Sequence, residues 1–132
     1  MLFRSESKLF YDSEKRAHVS LVGNAFAYGF GFCPDEESKQ RVLSMIDEYG
    51  ISALSLFCPF PILMRFAKDG EDERIRRALL DEGAWLRMLR EDATTTFEGW
   101  GKETKWNTSL FHLTMSYASV FMADVDLKAI FE

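Results

Sequence analysis

Apolar residues recur at spacings of three and four along most of the chain, and this periodicity limits the fold more than any other feature. Such spacing places apolar side chains on one face of an α-helix. A first stripe predicts a helix that begins near Ala17, and a second helix follows Pro34 and three acidic residues that oppose the helix dipole. The second helix ends at Gly50. The stripe residues are Leu21, Val22, Ala25, Phe26 and Gly29 in the first, and Val42, Met45, Ile46 and Tyr49 in the second.

The same pattern continues beyond Gly50. A short extended connection over 51–57 precedes a third helix, and a fourth helix follows with a kink at Gly83. The helical stripe resumes over 110–121, and a last short helix is predicted over 124–132. These elements predict an all-α fold of antiparallel helices joined by short loops.

Composition and charge exclude several classes of protein. A chain of 132 residues that is 47% hydrophobic is expected to fold, and its formal charge of −5 disfavours a phosphate-backbone binder. We therefore expect no nucleic-acid partner. The uncharged run 50–64 is too short and too interrupted by prolines for a transmembrane helix, so no membrane partner is expected. Arg4, Glu6 and Lys8 stand where an export signal would have its apolar core, so no such signal is predicted, and the compartment stays open.

The cysteines and histidines do not have the spacing of a metal site. Cys33 and Cys58 belong to no Cys-x-x-Cys pair, and neither has a histidine at ligand spacing. We expect both to pack as small apolar side chains. The sequence thus predicts neither a metal ion nor a cofactor.

One long segment, 92–109, interrupts the helical pattern with glycines, threonines and two tryptophans. Glu98 lies there between Phe97 and Trp100. A carboxylate desolvated by aromatic rings has a raised pKa, which suits a general acid or base. Trp100 and Trp106 offer flat apolar faces of the kind on which sugar rings stack. The segment is therefore the candidate functional loop, with a carbohydrate as its candidate ligand.

A purely structural interpretation of these residues is also open. Glu98 can be a solvated or capping side chain, and Trp100 and Trp106 can be core residues. His112, at the start of an apolar helix, can be a hydrogen-bonded packing residue. Spacing alone does not choose between these roles.

The segments 93–101 and 105–112 resemble the C-terminal part of the catalytic domain of α-L-rhamnosidases of glycoside hydrolase family 78. In that family a threonine pair precedes an aromatic-Glu-x-Trp group, and a Ser-Leu-x-His group follows. The resemblance extends upstream to about Phe10. The upstream groups that look like the family's preceding helical hairpin are His18-Val19-Ser20, Asn24-Ala25 and Pro34-Asp35-Glu36.

The resemblance implies a role for each motif residue. Glu98 would be the general base that activates water for inverting hydrolysis. His112 would contact the rhamnose and Trp100 would wall the sugar subsite. Trp106 stays a candidate sugar-binding side chain because of its flat apolar face. No metal or other cofactor is implied.

The family's domain is an (α/α)6 barrel, about three times longer than this chain. Residues 1–132 would form one partial domain, the C-terminal hairpins of such a barrel. The general acid would come from an earlier segment, since Asp92, Glu103 and Asp124 do not stand at the family's position for it. The chain alone is then expected to be inactive, and its uncovered apolar faces are expected to self-associate.

Two other functions stay open. One is a non-catalytic carbohydrate-binding module that keeps the aromatic platform. The other is a helical interaction module in which the loop over 92–109 only caps the helices.

Overall fold

The computed structural model describes residues 1–15 and 17–123, which form a mostly helical structure with one small sheet. Its helical content agrees with the predicted class. The two short strands are β1 (Leu2–Arg4) and β2 (Leu9–Tyr11), and single 3-10 turns cover Ile51–Ala53 and Leu113–Met115. The α-helices in the described residues are α1 (Leu21–Gly29), α2 (Glu36–Tyr49), α3 (Pro59–Asp69), α4 (Asp72–Leu79), α5 (Trp85–Arg90) and α6 (Ala118–Met122).

The strands β1 and β2 form an antiparallel hairpin that the sequence analysis did not predict. Phe3 pairs with Phe10 across the hairpin, with ring centroids 5.2 Å apart. Strands of three residues carry too little alternation to be recognised as a period of two. The hairpin is held to α1 by Asn24, whose side-chain amide accepts from the Phe10 N–H at 2.9 Å and donates to the Phe10 carbonyl at 2.9 Å.

Local capping explains where the first two helices begin. Helix α1 begins at Leu21, four residues later than predicted, because the Ser20 hydroxyl accepts from the Gly23 N–H at 3.2 Å and caps the helix there. Helix α2 begins after Asp35, whose carboxylate accepts from the Ser38 N–H at 2.8 Å. Pro34 therefore precedes the cap instead of lying in the first turn.

Three predicted segments are divided into shorter elements than expected. The kinked fourth helix is two helices, α4 and α5, because Asp81 accepts hydrogen bonds from the Ser52 N–H at 3.0 Å and the Gly83 N–H at 2.8 Å. The connection after Gly50 contains a 3-10 turn, and the predicted helix over 110–121 is a 3-10 turn followed by α6. The helix predicted over 124–132 lies outside the described residues.

The core contains two groups of packed side chains. In the first group, α1 packs on α2 and α3 through fully buried side chains such as Tyr28 and Phe66. In the second group, the Trp85 ring packs edge-on against the rings of Trp100 and Tyr117, with ring centroids 4.9 and 5.6 Å apart. This second group positions the candidate loop. No helix in the described residues is long and apolar enough to cross a membrane.

Helices α1 and α3 approach closely at Gly29, where an added Cβ would lie 3.0 Å from the Pro61 carbonyl carbon. We expect Gly29→Ala to lower the free energy of unfolding by about 1–3 kcal/mol, because the backbone of Pro61 must move. Chemical denaturation measures the change. Gly23→Ala, in the same helix, is the control: there the close atom is the flexible Met1 sulfur. Equal stability of the two variants would contradict this packing.

Candidate functional site

The candidate loop is anchored in the core by Trp100. This residue is only 9% exposed, and its indole N–H donates to the Leu54 carbonyl at 2.6 Å. Its ring packs edge-on against Trp85. Trp100 thus lies inside the fold as a packing residue, not as an exposed platform, and its proposed contact with a sugar stays a prediction.

The two ends of the loop pair with each other. The Glu98 N–H donates to the Ser109 carbonyl, and the His112 N–H donates to the Thr96 carbonyl, each at 2.8 Å. The Thr96 hydroxyl adds a bond to the His112 carbonyl at 2.7 Å. Residues 96–98 and 109–112 therefore form two paired arms, and we use this name for them below. The pairing brings together the two motif halves that carry Glu98 and His112.

The Glu98 carboxylate is held from two directions. Its Oε1 accepts from the Lys105 ammonium at 2.7 Å, and its Oε2 accepts from the Ser109 N–H at 3.1 Å. The side chain is 27% exposed, so it stays accessible to water. A carboxylate held in this way has a defined orientation at the surface of the loop.

These contacts lower the pKa of Glu98 below its ordinary value. The main cause is the Lys105 ammonium, followed by the Ser109 N–H, and the charge of His112 contributes in the same direction. The sequence analysis predicted a raised pKa, and this prediction was wrong. Phe97 is 2% exposed and belongs to the core, whereas the Glu98 side chain is 27% exposed. Desolvation by burial does raise the pKa of Glu98, but the hydrogen bonds from Lys105 and Ser109 outweigh it.

The remaining predicted site residues lie in different surroundings. Trp106 is 95% exposed, with its indole ring in solvent. His112 is half-buried on the second arm, and its charge acts on Glu98. The loop thus brings Glu98 and His112 together, buries Trp100 and leaves Trp106 outside.

Lys105 and Ser109 are contacts of Glu98 that the sequence analysis did not identify. Gly101 has a φ of 111°, and the Arg87 guanidinium occupies the space where its side chain would be. The Lys102 N–H donates to Glu91 at 2.6 Å, which fixes the loop against α5. The glycine content predicted a sharp bend, whereas no sequence spacing identifies a Lys–Glu contact within an irregular loop.

An apolar groove of about 310 Å³ lies beside the first arm. Glu98 does not line this groove. Its side chain is partly exposed to solvent beside the loop. The residues that line the groove are Trp85, Met88, Leu89, Ala93, Thr94, Thr95, Thr96, Ser116, Ala118, Ser119 and Met122.

Other acidic and metal-binding groups contribute little to the loop. Asp92 and Glu103 are exposed, and Asp124 lies outside the described residues. Within the described part of the chain, no group of three or more His, Cys, Asp or Glu side chains could hold a metal ion. Cys58 is buried and Cys33 half-buried, and both are free thiols.

The paired arms and the motif residues that they carry are the features that can be compared with known proteins. Comparisons of the chain with protein-family models, with curated proteins and with solved structures found no significant match. The resemblance to family 78 glycosidases accordingly stays a prediction from the sequence.

Proposed function

We propose that this chain supplies the general base of an inverting glycosidase that acts on terminal α-L-rhamnosides, with Glu98 as the base. The observation that carries the proposal is the pairing of the two arms. It joins the Glu-containing and the His-containing motif and gives the Glu98 carboxylate a fixed orientation with His112 nearby. His112 would contact the sugar.

An inverting mechanism needs an ionised carboxylate that removes a proton from water as the water attacks the anomeric carbon. Glutamate is ordinarily ionised at neutral pH, and the lowered pKa of Glu98 extends its ionised range to lower pH. Each carboxylate oxygen has about two acceptor positions, so the bonds from Lys105 and Ser109 leave room for a water molecule. The geometry is therefore compatible with a base, although the lowered pKa also reduces its proton affinity.

The same mechanism needs a general acid about 6.5–9.5 Å from the base, to protonate the leaving group. We propose that this acid, and the remaining hairpins of an (α/α)6 barrel, belong to a segment outside this chain. Such hairpins would cover the apolar groove beside the first arm and give Glu98 the sugar pocket that the chain does not form around it.

A substrate that needs no general acid tests the base directly. Fluoride leaves α-L-rhamnosyl fluoride without receiving a proton from the enzyme, so the chain is expected to hydrolyse it without the general acid, and only slowly, because its sugar pocket is incomplete. We expect Glu98→Gln to slow fluoride release by about 10²- to 10⁴-fold, the contribution typical of general-base catalysis. Proton NMR of the fresh product should show β-L-rhamnose, because the reaction inverts the anomeric carbon.

The matched control is Glu103→Gln, which makes the same change at an exposed acid of the same loop. It is expected to release fluoride at the rate of the unmodified chain. Equal rates for the unmodified chain and Glu98→Gln would remove the assignment of Glu98 as the base.

The exposure of Trp106 favours a second candidate, a carbohydrate-binding module without catalysis. A free indole face can stack on a sugar ring without any contribution from Glu98. Calorimetric binding of L-rhamnose that is lost in Trp106→Ala, together with fluoride release that does not depend on Glu98, would favour this function over hydrolysis.

A further inference from the structure

The tip of the loop contains a turn, 105–108, that is fixed by one threonine. The Thr108 hydroxyl accepts from the Lys105 N–H at 2.9 Å and donates to the Lys105 carbonyl at 2.8 Å. The Thr108 N–H also donates to the Lys105 carbonyl, at 3.2 Å. The backbone of Lys105 therefore has little freedom, which limits where its ammonium can lie.

This turn contacts the Glu98 carboxylate from both of its ends. Lys105, at its beginning, binds Oε1 at 2.7 Å, and the Ser109 N–H, directly after it, binds Oε2 at 3.1 Å. The two contacts fix the plane of the carboxylate, since each oxygen has its own donor. The second contact comes from the backbone and cannot be removed by changing a side chain, whereas the first depends on Lys105 alone.

Given the proposed base role of Glu98, on which this inference rests, we infer that Lys105 is a positioning residue that orients the Glu98 carboxylate and extends its ionised range to lower pH. Among the described residues, the charged or titratable groups that act on Glu98 are Lys105 and His112. Lys105 binds the carboxylate directly, at 2.7 Å, and is the largest cause of the lowered pKa of Glu98, whereas His112 contributes only through its charge. Lys105 is thus the main side-chain partner of the base.

Replacing the ammonium by an uncharged chain of similar length isolates its effect. In Lys105→Met we expect the pKa of Glu98, measured by ¹³C NMR titration of its side-chain carboxyl, to rise. The low-pH limb of the rate of rhamnosyl fluoride hydrolysis should then move to higher pH, because the base becomes protonated earlier as the pH falls. Lys105→Arg keeps the cation and is expected to keep both the titration and the limb close to those of the unmodified chain.

The control is Lys102→Met, a change of the same kind at an exposed lysine of the same loop. Its Glu98 titration is expected to match that of the unmodified chain. An unchanged Glu98 titration in Lys105→Met, or an equal shift in Lys102→Met, would overturn the inference.

The titration does not depend on hydrolysis, so the two proposals can fail separately. A shifted Glu98 titration in Lys105→Met, combined with fluoride release that is insensitive to Glu98→Gln, would leave Lys105 as the residue that controls the carboxylate and would reject the base role. A shifted titration and a shifted rate profile together support both proposals.

Discussion

Trp100→Ala is expected to lower the free energy of unfolding by about 3–5 kcal/mol, the range typical of removing a large buried aromatic side chain. Trp100 fills the space between Trp85 and the segment around Leu54, and its indole N–H has its hydrogen-bond partner there. Its removal leaves a cavity and an unpaired carbonyl group. Because Trp100 follows the first arm closely, we also expect faster amide exchange at Glu98. Chemical denaturation and hydrogen exchange measure the two effects.

Trp106→Ala removes the same side chain from the same loop and is the natural comparison. Trp106 is exposed, so its loss should change the free energy of unfolding by no more than about 0.5 kcal/mol. Similar losses of stability in the two variants would show that Trp100 does not anchor the loop as described.

Asn24→Ala should have the second largest effect on stability, about 2–3 kcal/mol. The Asn24 side chain is fully buried and makes three hydrogen bonds, two with the Phe10 backbone and one to the Ser20 carbonyl at 2.9 Å. Its two hydrogen bonds with Phe10 take the place of those that an adjacent strand would make with β2. Removing it leaves the Phe10 N–H and carbonyl without these partners, and each unsatisfied buried group costs about 1–3 kcal/mol. Denaturation gives the total loss, and faster exchange of the Phe10 amide would locate it.

Asn107→Ala provides the control, since Asn107 is an exposed residue of the candidate loop. Its stability should stay close to that of the unmodified chain. If Asn24→Ala leaves the Phe10 amide as protected as before, the hairpin does not depend on this side chain.

The helical part of the fold could be predicted because its signals are local and repeated. The apolar stripe, the acidic start and the glycine that ends α2 predict this helix within a few residues of its observed position. The errors occurred where one polar contact decided the outcome. Asp81 separates α4 from α5 by binding Ser52 from a distant part of the chain, and no periodic pattern shows such a contact.

In the candidate loop too, local sequence patterns could not predict the side-chain contact that decided the outcome. The aromatic and glycine content of the loop indicated correctly that the segment departs from helix. The pKa direction of Glu98 could not be predicted, because it depends on which side of the backbone the neighbouring rings occupy. Phe97 points into the core, and Lys105 approaches the carboxylate instead. The sign of the shift is therefore a property of the folded loop.

Residues 96–98 pair with residues 109–112 through backbone hydrogen bonds. The backbone distance between Glu98 and His112 therefore does not depend on the sequence of the stretch between Gly101 and Lys105. Exchanges of the exposed side chains at 102–104 would alter the surface that the protein presents while leaving the backbone pairing of the arms in place. Related chains can thus diversify in recognition through this stretch, as antibody loops do on a constant framework. Within the loop, the paired arms hold the chemical groups and have to be conserved, whereas the exposed side chains between Gly101 and Lys105 can vary.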